Sequence, residues 1–216
     1  MTTQQSNRFV YVWELPVRIF HILNGISVLV LIGTGYVIGN PPALLSGQEA
    51  NSQYWFGIVR FIHFVAAYIF LFNFLFRIYF GFKGNRYARW ENFIPLKNKQ
   101  WKEILKVIRV DLLLMVGEPI RSIGHNSLAS LIYFIYFLLS VFQIVTGLGM
   151  MAPMSDGFIA DWFSWIVILM DGDATVRFWH HVNTWVFILF IIVHVYLAII
   201  ACNASFRGVC VRHLCS

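Results

Sequence analysis

Charged residues are scarce in this chain. Asp, Glu, Lys and Arg together make up 12% of its 216 residues, whereas hydrophobic residues make up 59%. A soluble domain of this size has no use for so much apolar surface, so the composition excludes an ordinary soluble globular protein. It indicates an integral membrane protein, in which lipid surrounds most of the side chains.

Cysteine is also scarce, and its pattern excludes several kinds of metal site. The three cysteines are Cys202, Cys210 and Cys215, all at or beyond the end of the last apolar segment. No Cys-x-x-Cys-His motif occurs, so covalent attachment of a c-type haem is not expected. The spacing also suits neither an iron–sulfur cluster nor a zinc site.

The apolar residues fall into four segments, each long enough to supply the roughly 20 residues that cross a bilayer. The segments are residues 17–38, 55–82, 128–151 and 175–201. The first contains Arg18 and His21 and has no small-residue cleavage site, so we interpret it as a retained helix and not a signal peptide. No internal repeat is evident. The sequence predicts an all-α integral membrane protein, a four-transmembrane-helix bundle that takes up residues 1–216 as a single domain.

Positive charge predicts the orientation of the bundle. Of the sixteen Lys and Arg residues, all but Arg60 and Arg177 lie in the amino-terminal arm, the tail or the stretch from the end of the second span to the third. The positive-inside rule therefore places both termini and the middle loop in the cytoplasm, as expected for a multi-pass protein of a bacterial inner membrane. The net charge of +6 then reflects topology, and we expect no nucleic-acid binding.

The middle loop contains a segment with apolar residues at helical spacing and lysines between them. This segment, Trp101–Met115, predicts an amphipathic helix that lies on the membrane surface in contact with lipid. The alternative is a plain soluble helix in the loop.

Five histidines lie within the apolar segments, where an ionisable residue is costly and calls for a functional explanation, and four of them are the main candidates: His21, His63, His180 and His194. His180 and His194 are 14 residues apart on the fourth span. At about 100° and 1.5 Å per residue, they lie within about 40° of one helix face and about 21 Å apart along the axis. His181 points about 140° away from His194 and is the weaker candidate.

The predicted topology places these histidines at two depths. His63 and His180 lie toward the outer face, and His21 and His194 lie toward the cytoplasm. Two imidazoles at equal depth on facing helices can ligate one haem iron from both sides. A single buried histidine is more often a hydrogen-bonded core residue, but four at two depths favour two haems, held without covalent bonds as haem b.

Other uses of the four histidines fit less well. A zinc or copper site gathers its ligands at one depth. A proton relay would include Asp or Glu, and the spans have neither at mid-depth. Glycines that would let a flat macrocycle approach the helices, or would serve helix–helix contacts, are Gly25, Gly33, Gly35 and Gly147. Arg18 on the inside and Arg177 on the outside are candidates to bind haem propionates or, equally, to anchor in lipid headgroups.

Bis-histidine ligation leaves the iron no open position, which favours electron transfer over substrate chemistry. The sequence has no soluble domain to act as donor or acceptor. We therefore expect a periplasmic redox partner and, as the simplest acceptor, a membrane quinone.

Several stretches together resemble the cytochrome b subunit of membrane-bound respiratory nickel–iron hydrogenases, a group related to the cytochrome b subunit of formate dehydrogenase. They are VWELPVRIFH (12–21), GTGYVIGNP (33–41), RFIHFVAAYIF (60–70), GNRYARWENFIP (84–95), GHNSLA (124–129), TGLGMMAP (146–153) and RFWHHVNTWVFILFIIVHVY (177–196). The resemblance implies two haems b, and a hydrogenase whose iron–sulfur small subunit delivers electrons from the large subunit. It also implies quinone reduction toward the cytoplasm.

By the same resemblance, His63 and His180 are ligands of the haem nearest the hydrogenase, and His21 and His194 are ligands of the other haem. The alternatives are the equivalent subunit of a formate dehydrogenase or other periplasmic reductase and, more distantly, a transporter or channel without haem.

A candidate quinone site lies where the third span begins. His125 is a candidate to exchange a proton with a quinone carbonyl, and Asn126 to donate a hydrogen bond to it. The alternative is that Asn126 or Ser127 caps the third helix. The tail, residues 201–216, has no counterpart in the resemblance.

Overall fold

The computed structural model describes residues 14–41, 54–84 and 127–206, and within these ranges the regular structure is entirely helical. The helices are α1 (Leu15–Gly39), α2 (Trp55–Lys83), α3 (Ser127–Met151), α4 (Phe158–Leu169) and α5 (Asp173–Phe206), with a 3-10 turn at Ala152–Met154.

Among the described residues, four helices are long and apolar enough to cross a membrane, as the sequence predicts. The qualifying stretches are Leu15–Gly39, Trp55–Lys83, Leu131–Met154 and Asp173–Tyr196. A helix is the natural form of such segments because it satisfies every internal backbone hydrogen bond without water. Large apolar side chains such as Ile22, Phe61 and Phe72 are exposed on α1 and α2, which is the surface expected to contact lipid.

The described structure divides into two compact units, at Leu138 and Leu139 within α3. In the first unit, α1 packs along α2. The Asn73 side chain of α2 donates to the backbone oxygen of Phe20, 3.1 Å away. The Phe74 and Phe137 rings stack with centroids 5.0 Å apart, so the first part of α3 joins the same core.

The second unit contains a helix that the sequence analysis did not predict. Helix α4 has 12 residues, too few to cross the bilayer, and follows the 3-10 turn at the end of α3. Its Ile166 is 2% exposed, and Ile166 Cγ2 lies 2.9 Å from where a Cβ on Gly149 would stand. Gly149 is therefore needed for α4 to lie against α3.

A tight turn then reverses the chain into α5. Asp171 and Gly172 have φ values of 59° and 111°, and the Gly172 amide donates to the Val167 oxygen. This left-handed pair ends α4 and allows α5 to begin at the next residue.

Three predictions lie partly or wholly outside the described residues. They are the surface helix at 101–115, the quinone site at His125 and Asn126, and the tail at 201–216. The tail's first six residues, 201–206, continue α5. The division into one domain and the cytoplasmic placement of the termini stay predictions.

Candidate functional site

The first unit places His63 against a threonine of the neighbouring helix. His63 lies on α2, and its Nδ1 is 2.8 Å from the Thr34 hydroxyl on α1. The same hydroxyl lies 2.7 Å from the backbone oxygen of Val30, to which it donates its one proton. Thr34 must then accept from the ring, so His63 carries its proton on Nδ1 and its lone pair on Nε2.

A glycine next to this threonine gives the ring its space. A Cβ on Gly35 would stand 3.4 Å from His63 Cε1, at the short end of ordinary van der Waals contact. The Gly35 position therefore lets the imidazole lie close to the backbone of α1, within reach of the Thr34 hydroxyl.

The second unit holds His180 by the same contacts. His180 Nδ1 on α5 is 2.8 Å from the Thr146 hydroxyl on α3. That hydroxyl donates its proton to the Phe142 backbone oxygen at 2.8 Å. A Cβ on Gly147 would stand 3.4 Å from His180 Cε1. The Thr146 contact again assigns the proton to Nδ1.

On its other side, the His180 ring meets an amide. Gln143 Nε2 lies 2.9 Å from His180 Nε2, and an amide nitrogen can only donate. This contact independently places the lone pair of His180 on Nε2. The Gln143 oxygen in turn accepts from Asn183 Nδ2 at 2.7 Å. Asn183 is 3% exposed, and its Oδ1 has no hydrogen-bond partner among the described residues.

The two histidines predicted nearer the cytoplasm have more exposed rings. His21 lies early in α1, and His194 lies on α5, the same helix as His180. The His194 ring stacks on Phe190, with centroids 5.7 Å apart and planes 11° apart. His181, the weaker candidate, has its Nδ1 2.8 Å from the Arg177 backbone oxygen one turn earlier, which is a local helix contact.

The two arginines proposed for propionates lie at helix starts. Arg177 forms an ion pair with Asp173 at 2.7 Å, with side chains 61% and 43% exposed. Such an exposed pair adds little stability. Arg18 is exposed in the first turns of α1.

Sequence reasoning treated Arg77 only as a positive charge at the end of the second span, but it is buried. Arg77 is 3% exposed, and its guanidinium lies over the rings of Phe20 and Tyr133, at 5.9 and 5.2 Å from their centroids. Its spacing of 14 residues after His63 puts both on one face of α2, a signal that the sequence already contained.

The described residues suit a haem better than a clustered metal ion. They contain no group of three His, Cys, Asp or Glu residues that could hold an ion. Imidazoles with the lone pair on Nε2 are the donors that haem iron takes. Within the described ranges, a Cβ on Gly25 or Gly33 would meet nothing within 4 Å, so both leave space beside α1. The candidate quinone residues His125 and Asn126 lie outside the described residues.

Comparison with known proteins gives one family and a consistent set of relatives. The model of the family described as prokaryotic cytochrome b561 matches residues 12–205. A protein of Cupriavidus necator named a probable Ni/Fe-hydrogenase B-type cytochrome subunit is 39% identical over 201 residues, covering 90% of this chain and 81% of its own. An Azotobacter vinelandii protein of the same name is 39% identical, covering 88% of this chain and 80% of its own.

An Escherichia coli K12 protein is also similar. It is named a probable Ni/Fe-hydrogenase 1 B-type cytochrome subunit and is 37% identical over 202 residues, covering 91% of this chain and 86% of its own.

Proposed function

Because this chain belongs to the prokaryotic cytochrome b561 family, whose name implies haem b, we propose that it is the cytochrome subunit of a membrane-bound nickel–iron hydrogenase. In this role it carries electrons from H2 oxidation through two bis-histidine haems b to membrane quinone. The observation that carries the proposal is the hydrogen-bonded placement of His63 and His180, each with its lone pair on Nε2. The chemistry on H2 itself belongs to the large subunit of the complex.

The proposed ligand pairs are His63 with His180 for the outer haem and His21 with His194 for the inner haem. Support for two depths comes from α5, which is one continuous helix from Asp173 to Phe206. On it, His180 and His194 share a face and are separated by about 21 Å along the axis. One helix therefore supplies a ligand to each haem.

When bound, each haem supplies a reversible one-electron change at its iron. The two imidazoles of each proposed pair would hold the iron and leave it no position for oxygen or other ligands. Gly25 and Gly33 leave space beside α1 for a flat ring. Arg18 and Arg177 are proposed to bind propionates, with Arg177 shared between that role and Asp173.

The proposed topology follows the positive-inside rule in the inner membrane, with both termini cytoplasmic. The hydrogenase then docks on the periplasmic side, where its iron–sulfur small subunit faces the outer haem. A formate dehydrogenase partner is the alternative, and the relatives' hydrogenase names favour the hydrogenase. Family membership favours a cytochrome over the transporter or channel.

The first test is the haem content of the purified protein. A dithionite-reduced minus oxidised spectrum should show b-type bands, and extraction should give about two haems per chain, as two pairs of axial histidines require. A chain that binds no haem after mild purification would refute the proposal and favour transport. Co-purification with an H2-reducible partner, in place of a formate-reducible one, separates the two enzyme complexes.

The proposed quinone site gives a separate prediction. Quinone reduction takes up protons from the cytoplasm, and His125 is proposed to deliver one, with Asn126 holding a carbonyl. His125→Ala should slow H2-driven quinone reduction about 100-fold, in the range of a lost acid–base group, while both haems remain. The measurement is turnover with a quinone analogue beside the haem spectrum. Unchanged turnover would exclude His125 from the site.

A further inference from the structure

The two units hold their candidate outer-haem histidines with the same three-part arrangement. In each unit, a Thr-Gly pair on one helix faces a histidine on another helix. The pairs are Thr34-Gly35 with His63 and Thr146-Gly147 with His180. Both hydroxyl-to-Nδ1 distances are 2.8 Å, and a Cβ added at either glycine would stand 3.4 Å from Cε1 of the ring. Each unit thus holds its histidine by the same pair of contacts.

The direction of each hydrogen bond follows from the number of protons. A threonine hydroxyl has one proton, and in both units a backbone carbonyl one turn earlier takes it, at 2.7 Å for Thr34 and 2.8 Å for Thr146. The hydroxyl oxygen then offers only lone pairs to the ring. With that proton on the carbonyl, each imidazole donates through Nδ1–H. The opposite tautomer would require the hydroxyl to turn its proton from the carbonyl to the ring.

We propose that Thr34 and Thr146 are matched positioning residues that fix His63 and His180 as Nδ1–H tautomers, so that each ring keeps on Nε2 the lone pair that would bind a haem iron. In His180 this lone pair accepts from Gln143 Nε2 at 2.9 Å, a contact that the iron would replace. This inference rests on the proposed function, because it needs those two histidines to be axial ligands. The acceptor on Nδ1–H also makes the ring a stronger electron donor.

The neighbouring glycines leave room for the imidazole ring beside the helix backbone. A Cβ at Gly35 or Gly147 would touch Cε1 at 3.4 Å, so each ring lies directly against the glycine position. The Thr-Gly pair therefore does two things at once: the threonine sets the tautomer and the glycine sets the distance.

The test replaces each threonine by valine, which has nearly the same shape but no hydroxyl. Thr34→Val and Thr146→Val should each weaken haem retention about tenfold, the size typical of partners behind a metal-bound histidine. If this tenfold loss of affinity falls on the ferric form of the haem, the midpoint potential of that haem should rise by about 59 mV. Redox titration of the intact membrane protein measures this, and the other haem should keep its potential.

Two controls separate the hydroxyl's effect on the ring from general damage. Thr34→Ser and Thr146→Ser keep the acceptor and should keep the wild-type potentials and haem retention. Thr184→Val removes a hydroxyl that donates to the His180 backbone oxygen at 2.9 Å and accepts from Gln143 Nε2 at 3.3 Å, but makes no direct contact with a ring nitrogen. It should leave both potentials unchanged.

The outcomes distinguish this inference from the proposed function. If the serine variants lose haem as the valine variants do, or if Thr184→Val shifts a potential equally, the positioning role is wrong. The positioning role is also wrong if both valine variants match wild type in haem retention and midpoint potential while wild type binds two haems. If wild type binds no haem, the proposed function itself fails. A valine variant that loses haem while its serine partner retains it supports the inference.

Discussion

His63→Ala is expected to reduce the haem content from two per chain to one and to abolish H2-driven quinone reduction. In the proposed arrangement, His63 is one of two imidazoles that hold the outer haem without any covalent bond to the chain. Removing one of them leaves the iron with a single protein ligand and an open position, and the haem then has only packing to retain it. Haem extraction and the reduced minus oxidised spectrum measure the loss.

The sharpest form of this experiment compares single and double variants. His180→Ala should remove the same haem as His63→Ala, so the double variant should lose no more than either single one. Residues that act as one unit are non-additive in this way. His63→Ala combined with His194→Ala should lose both haems, because these two ligands belong to different pairs.

His181→Ala is the matched control. His181 is adjacent to His180 in sequence, but its Nδ1 is directed to the Arg177 backbone oxygen within the same helix. The variant should retain two haems and wild-type turnover. If His181→Ala lost a haem and His180→Ala did not, the assignment of the outer ligand on α5 would be wrong.

The helices of this fold could be predicted because hydrophobicity alone determines them. The predicted spans 17–38, 55–82 and 128–151 match helices Leu15–Gly39, Trp55–Lys83 and Ser127–Met151 closely. Helix α4 escaped prediction because it is apolar but shorter than a span, and the left-handed Asp171-Gly172 turn that ends it has no strong sequence signal.

The contacts around the histidines were beyond the reach of sequence reasoning for a different reason. The spacing of His180 and His194 follows from the geometry of one helix. The contact of Thr34 with His63 instead depends on how α1 and α2 lie against each other. The sequence element that the two units share is only the dipeptide Thr-Gly, too short to be recognised as a repeat. Gly35 and Gly147 were noted as small residues, but their partners, the imidazole rings, appear only in three dimensions.

His194→Ala is expected to interrupt electron flow at a later point than His63→Ala. Its loss should release the inner haem and leave the outer one, which His63 and His180 still hold. In a complex with the hydrogenase, H2 should therefore still reduce the remaining haem of His194→Ala. Quinone reduction should nevertheless fall to background, because the outer haem would lie about 21 Å from the inner position that it must feed.

The contrast between the two variants tests the order of the haems. In His63→Ala the remaining haem is the inner one, and it should be reduced by dithionite but not by H2, because the outer position no longer relays electrons to it. Stopped-flow spectra of the two complexes under H2 make the comparison. If H2 reduced the remaining haem of His63→Ala but not that of His194→Ala, the order of the pairs would be reversed. If it reduced both at the wild-type rate, the haems would not form a series, since neither would depend on the other for its electrons.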